Sequence, residues 1–196
     1  MIAASSPGRS PSEHIRPLDL SRDLGKVADL IELCFPIHQD KDGQTYIKEM
    51  RKAAREMRII GWLSNLAELG DQKASGFVWE VNDQIIGNLS LIPFLQGGQR
   101  VHLVANVAVH PDYRRKGIAR ALTQHAIDYL RSQREPRAWL QVRDDNPAAI
   151  HLYRSVGFTD QYARTTWRIR PSEFRFSKLA KSDRIKIRHR KKADWE

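Results

Sequence analysis

The chain has 196 residues, enough for one domain with a sizeable core, and 41% of them are apolar. No apolar run approaches the ~18 residues of a membrane-spanning helix, and a single cysteine, Cys34, excludes an internal disulfide. The formal charge of +10 is concentrated: from Arg164 to Glu196 there are twelve Lys/Arg against four Asp/Glu, so the rest of the chain is close to neutral.

Met1 to Glu13 is rich in Ser and Pro and lacks the basic start and apolar stretch of a secretory signal. It reads as a flexible lead, and residence in the cytoplasm is the resulting expectation. A first strand is expected near His14 to Leu18 and a short helix from Leu24 to Phe35, ended by Pro36. Cys34 stands between Leu33 and Phe35 at that helix end, which suits a packed thiol better than a nucleophile. A loop with His38, Asp40, Asp42 and Gly43 follows. From Thr45 the residues Tyr46, Ile47, Met50, Ala53, Ala54, Met57 and Ile60 recur at helical spacing. This second helix either breaks around Gly61 or runs on to Leu69.

Gly76 to Val81, the turn Asn82-Asp83 and Gln84 to Phe94 predict a strand pair. Gln96-Gly97-Gly98-Gln99 turns the chain into a further strand ending at Val109, closed by His110-Pro111. A helix from about Gly117 to Ser132 buries Ile118, Ala121, Leu122, Ala126, Ile127 and Leu130. The fifth strand is Ala138 to Arg143 and the fourth helix Pro147 to Ser155, with Phe158 to Tyr162 and Thr165 to Arg170 as closing antiparallel strands. Hairpins alternating irregularly with helices predict an α/β (α+β) domain, a mixed sheet flanked by helices rather than a doubly wound parallel one.

The chemistry lies where the Val109 strand empties into the helix. The turn has the form Arg-x-x-Gly-x-Ala, with Arg114, Gly117 and Ala119 at its set places. Small residues let backbone N–H groups converge, and the helix that starts there leaves its first N–H groups unpaired at the positive end of its dipole. An anion such as a pyrophosphate is the natural filler.

With the second block, Leu140-Gln141-Val142-Arg143 and then Asp144 through Phe158, the chain resembles the GNAT superfamily of acyl-CoA N-acyltransferases over roughly residues 14 to 170. Locally it is most similar to the bacterial ribosomal-protein alanine acetyltransferases. The resemblance implies a mostly antiparallel mixed sheet of about six to seven strands, with the fourth and fifth splayed apart around the pantetheine arm. It implies acetyl-CoA as cosubstrate and no metal. It places the pyrophosphate on backbone N–H groups of Arg115, Lys116, Gly117, Ile118 and Ala119, with charge from Arg114 and Lys116 and with Arg120 in the same segment. Val107, Ala108 and Val109 then pair with the pantetheine amides, and the N–H near Val107 polarises the thioester.

In the same resemblance Asn146 caps the fourth helix and contacts the pantetheine arm. Tyr153, two turns on and on the same face, protonates or hydrogen-bonds the leaving thiolate; His151 points nearly opposite, to solvent. The general base has no clear owner. Gln141 stands where alanine acetyltransferases often carry Glu, and Leu103 where histone-type members do, with His102 facing away unless a bulge intervenes. Glu80, His38, Glu32 and a water relayed by Gln141, Asn106 or a backbone carbonyl all stay open.

Two functions follow: acetyl transfer to a primary amine in a ternary complex, or an acyl-CoA-binding or regulatory module with little catalysis. The basic segment 171–196 adds two readings. Ile185 to Trp195 echoes His14 to Asp23, as though a second GNAT-like domain began there in a tandem protein. Contact with nucleic acid through Arg184 to Lys192 is the weaker reading, because no aromatics interleave the charges. The acceptor and the oligomeric state leave no trace in the sequence.

Overall fold

The computed structural model describes residues 14–37, 41–64, 75–135, 137–163 and 165, with the backbone alone at 58–64. Contacts divide the chain into Met1–Thr159 and Asp160–Glu196, and every element below lies in the first unit. The lead 1–13, His38 and Asp40, the stretch 65–69, the expected strand beyond Thr165 and the basic segment 171–196 lie outside the described residues. No described helix is long and apolar enough to cross a membrane.

Strand β1, Ile15–Pro17, leads into helix α1, Leu20–Cys34, which starts four residues before the expected Leu24. The reason is Asp19: its carboxylate accepts from the N–H groups of Ser21 and Arg22, satisfying donors that would otherwise be orphaned. Helix α2, Lys41–Ser64, also starts early and takes in Asp42 and Gly43, expected in a loop; Asp42 in the first turn suits the helix dipole. It continues through Gly61.

Strands β2 (Gly76–Val81), β3 (Gln84–Gln96) and β4 (Gln99–Val109) form two consecutive hairpins. Their two-residue turns, Asn82-Asp83 and Gly97-Gly98, all have positive φ, the geometry that matches strand twist. Helix α3, Ile118–Ser132, is capped by Gly117, and β5 and α4 occupy Ala138–Leu140 and Pro147–Ser155. The described sheet has five strands in the order β1-β2-β3-β4-β5, antiparallel except for the parallel β4–β5 pair.

Two strand expectations change. Strand β5 stops at Leu140 rather than Arg143, because its pairing with β4 covers only His102–Val104. Beyond that point the two strands part, as the resemblance implied. Residues 158–162 are not a strand. The Phe158 N–H instead donates to the Tyr153 carbonyl and that of Gly157 to Arg154, with Gly157 at φ 100°, a Schellman closure of α4.

Each sheet face has its own core. On one, Val27, Ala28, Leu30 and Ile31 of α1 and Ile47 and Met50 of α2 pack with Val78, Ile85 and Ala108. On the other, Ile118, Leu122, Ala126 and Leu130 of α3 pack with Phe77, Trp79, Ile86, Leu89, Leu91 and Val104. Gly87 in β3 allows that second contact to be close: a Cβ there would stand 2.9 Å from Ile118 Cγ2 and 3.1 Å from both Leu122 Cδ1 and Trp79 Cβ.

The edge of the sheet is fastened by charge. Asp23 of α1, fully buried, accepts from Arg16 of β1 (Nη2–Oδ1 3.0 Å), from Arg22 (3.2 Å) and from the Asp19 N–H (3.0 Å). Arg16 Nε also donates to Glu80 of β2, and Arg22 Nη2 reaches the same carboxylate at 3.0 Å. Burial alone would raise the Asp23 carboxyl, but the hydrogen bonds from Arg16, the Asp19 N–H and Arg22 outweigh it and hold the group below the usual carboxylate range. A depressed folded value contributes stability that is present above about pH 4 and lost as pH falls through it. Asp23→Asn should therefore cost about 1–3 kcal/mol at pH 7 in urea unfolding, since it takes the charged acceptor from Arg16, Arg22 and the Asp19 N–H while both arginines keep Glu80. The gap from wild type should narrow below about pH 4; an unchanged midpoint at pH 7 would contradict this account.

Candidate active site

Strand β4 reaches its C-terminal end with an irregularity. Asn88 of β3 pairs with Ala108 and Ser90 with Ala105, so Leu89 alone lies opposite Asn106 and Val107, a bulge in β4. Asn106 takes φ 53°, a left-handed conformation that asparagine tolerates better than most residues. Its carbonyl accepts from Asn88 Nδ2 at 2.9 Å, on the β3 side. A trans peptide holds C=O and the following N–H antiparallel, so the Val107 N–H points the opposite way, to the edge that β5 has left.

Beyond the bulge the alternation continues. The His110 N–H donates to Ile86 O at 2.8 Å on the β3 side, so Val109 and Val107 turn their backbone groups to the open edge. Their side chains join the α3 core, while Ala108 is buried in the α1/α2 core. The Val109 carbonyl is occupied: Arg114 Nε donates to it at 3.1 Å and Cys34 Sγ at 3.2 Å. Cys34 is thus a half-buried, hydrogen-bonded thiol.

The strand then passes through a 3-10 turn, Pro111–Tyr113, into Arg114 to Gly117. Arg115 at φ 63° and Gly117 at φ 80° are both left-handed, which curls this segment into a concavity of N–H groups. A non-glycine residue in that conformation is strained, and such strain gathers where ligands are held. Gly117 caps α3 with no side-chain hydrogen bond, no acidic residue stands in the first turn, and the first intrahelical bond is Ala121 N–H to Gly117 O at 2.9 Å. The N–H groups of Ile118, Ala119 and Arg120 precede it and have no carbonyl one turn back to accept them. The buried Ile118 side chain anchors this end, while Arg114, Arg115, Lys116, Gly117 and Arg120 are exposed. Lys116 Nζ lies 4.8 Å from the Tyr113 ring centroid. A Cβ at Gly117 meets nothing within 4 Å, so the space before the helix is open.

After β5, Asn146 caps α4: its side chain accepts from the Ala149 N–H at 3.1 Å, with Pro147 in the first turn. Tyr153 is half-buried and packs edge-on against Phe158, with ring centroids 6.0 Å apart. Its hydroxyl has no hydrogen bond to a described residue, and burial raises the phenol above its ordinary value. His151 is exposed.

The base candidates fare differently. Arg16 and Arg22 hold Glu80, which sits two strands from β4, and the Arg16 hydrogen bond keeps its carboxyl below the usual range. Glu32 is paired with Arg51 at 2.6 Å. His102 is buried, with Nε2 3.5 Å from Glu135 Oε2 just past the end of α3, four residues before the bulge. Gln141, exposed, follows the last paired residue of β5. Among the described residues no three His, Cys, Asp or Glu side chains gather as a metal site.

Two residues of this region, Asn88 and Ser90, carried no expectation from the sequence, and Tyr46 was read only as part of the helical pattern. Asn88, Ser90 and Tyr46 surround Asn106, whose Nδ2 donates to Tyr46 Oη at 2.7 Å and to Ser90 Oγ at 3.3 Å. Two asparagines in otherwise apolar strands were the available signal, since asparagine is poorly suited to a strand interior.

A sequence model described as the Acetyltransferase (GNAT) family matches residues 27–158. The ribosomal protein bS18 alanine N-acetyltransferase of Escherichia coli (strain K12) is 47% identical over 62 residues, 32% of this chain and 42% of that protein. The mycothiol acetyltransferase of Renibacterium salmoninarum is 30% identical over 136 residues, 66% of this chain and 36% of that protein. The chain therefore spans less than half the length of these curated relatives. Among solved structures, the S18 alanine N-acetyltransferase of Escherichia coli superposes with a TM-score of 0.54 and 24% identity, over 81% of this chain and 85% of that one. An aminoglycoside acetyltransferase from an uncultured soil metagenomic sample, in complex with sisomicin, gives 0.55 and 17%, over 82% and 100%. These two likenesses speak to the fold.

Proposed function

Because the chain belongs to the acetyltransferase (GNAT) family, we propose that it transfers an acetyl group from acetyl-CoA to a primary amine by direct attack. The observation that carries this reading is the succession, within one short segment, of an open strand edge at Val107–Val109 and an anion-ready helix start at Gly117 with no side-chain cap. The pyrophosphate suits the N–H groups of Arg115 to Ala119, and the exposed charges of Arg115, Lys116 and Arg120 add attraction. The pantetheine arm suits the β4 edge as an added strand, reaching the Val107 N–H with its thioester. The Nδ2 of Asn146 is left for the same arm, since its Oδ1 serves the cap.

In the reaction, the amine nitrogen attacks the thioester carbon while the Val107 N–H stabilises charge developing on the oxygen. The carbon–sulfur bond then breaks, CoA leaves as a thiolate, and the proton lost by nitrogen passes to water. Tyr153 serves the sulfur as a hydrogen-bond donor. A phenol raised by burial lies above a thiol, whose ordinary value is about 8.5, so full proton transfer to sulfur is not required. No acyl-enzyme is needed, and Cys34 is engaged with the Val109 carbonyl.

The likeness to the bS18 alanine enzyme makes a peptide N-terminal amine the first acceptor to assay. A second reading, an acyl-CoA-binding module with little catalysis, is favoured by one observation: Glu80 and Glu32 are tied to arginines and Gln141 offers no base.

Calorimetric titration with CoA and acetyl-CoA tests the cofactor site. Gly117→Glu sets a negative charge and a side chain before the helix and should abolish binding; normal affinity in that variant would remove the cradle assignment. Tyr153→Phe should lower turnover about tenfold or more, within the range of a positioned proton donor, and leave CoA affinity within about twofold. Equal turnover would return Tyr153 to packing. With no carboxylate base, log(kcat/KM) should rise with unit slope up to the acceptor's own pKa, and Gln141→Glu should raise the rate near neutrality. A plateau well below that pKa in the wild type would point to a base on the enzyme.

A further inference from the structure

Asn88 lies within β3 with none of its surface exposed, an unfavourable place for a side chain with four hydrogen-bonding positions. Its Nδ2 donates to the Asn106 carbonyl at 2.9 Å and to Ser90 Oγ at 3.3 Å, while its Oδ1 has no partner among the described residues. An apolar residue of similar volume would avoid that orphaned acceptor, so packing alone does not account for an amide here. What distinguishes the position is the peptide it grips. The bulge sets one β3 residue, Leu89, opposite two of β4, which disrupts the regular ladder, and the Asn88 side chain supplies the donor that the Asn106 carbonyl would otherwise lack.

We propose that Asn88 is a positioning residue for the acyl carbonyl. By holding the Asn106 oxygen on the β3 side it locks the plane of the Asn106–Val107 peptide, and the Val107 N–H is thereby aimed into the opening between β4 and β5. Remove the donor, and the half-buried carbonyl loses its partner at a residue already in a left-handed conformation, so the peptide is free to turn and take the N–H with it. The ties from Asn106 Nδ2 to Tyr46 and Ser90 fasten the same residue by its side chain, not by its peptide oxygen. Asn88 therefore acts through Val107 and touches no reacting atom.

The inference rests on the acetyl-CoA reading above, and the test separates the two. Acetyl-CoA carrying carbon-13 at the acetyl carbonyl is bound to the wild type, to Asn88→Leu and to Asn88→Ala, and the carbonyl band is followed by infrared difference spectroscopy. Affinity for CoA and for acetyl-CoA is measured on the same samples. The wild type should move the band to lower frequency. In either variant CoA affinity should stay within about twofold, the band should return to its free position, and the preference for acetyl-CoA over CoA should fall about fivefold, the weight of one hydrogen bond. Should neither variant fold, Asn88→Asp, of the same shape but without the N–H donors, is read in the same way. A wild-type band shift retained in the variants, or an equal loss of affinity for CoA and acetyl-CoA, overturns the role of Asn88 and leaves the acetyl-CoA reading standing. Failure of the wild type to bind either compound overturns both.

Discussion

Strand β4 is hydrogen-bonded to β3 along nearly all its length but to β5 over three residues only. That asymmetry is the constraint on which the rest of the site depends. A strand edge with no neighbour displays N–H and C=O groups that seek a partner, and here the free part of the edge begins at the bulge and ends where the chain turns toward α3. The same divergence goes with the short β5, whose pairing with β4 ends at Leu140.

The open edge is usable only because the layers around it are held. Two cores, one under α1 and α2 and one under α3, bury opposite faces of the same central strands, so β4 is clamped from both sides while its edge stays free. Gly87 lets α3 settle onto the sheet through Ile118 and Leu122, and that contact fixes the start of α3 close to the end of β4. Asp23 with its arginines ties the far edge, where β1 is only three residues long. Helix start and strand edge therefore belong to one rigid framework, which is what positioning a long, flexible cosubstrate requires.

The acid–base side of the chemistry is asymmetric as well. Tyr153, half-buried and pushed up by desolvation, is suited to donate a hydrogen bond, whereas the carboxylates weighed as bases are neutralised by arginine. On the proposed reading, deprotonation of the amine is left to solvent, which favours acceptors with a low amine pKa; peptide N-termini, at about 7.7, lie well below lysine side chains, at about 10.4.

Local sequence determined much of the fold. Periodicity located the four helices and five strands of the described residues, and the glycine-bearing Arg-x-x-Gly-x-Ala turn and the Asn146-Pro147 cap were legible because their physics is contained within a few neighbouring residues. The early starts of α1 and α2 were also local in origin, though the capping role of Asp19 was not recognised. Tertiary structure decided the rest. That Glu80 is an arginine partner, and why Gly87 and Asn88 occupy a strand interior, depend on groups distant in sequence. The bulge at Asn106 belongs there too, since it is a property of register between two strands rather than of either strand alone.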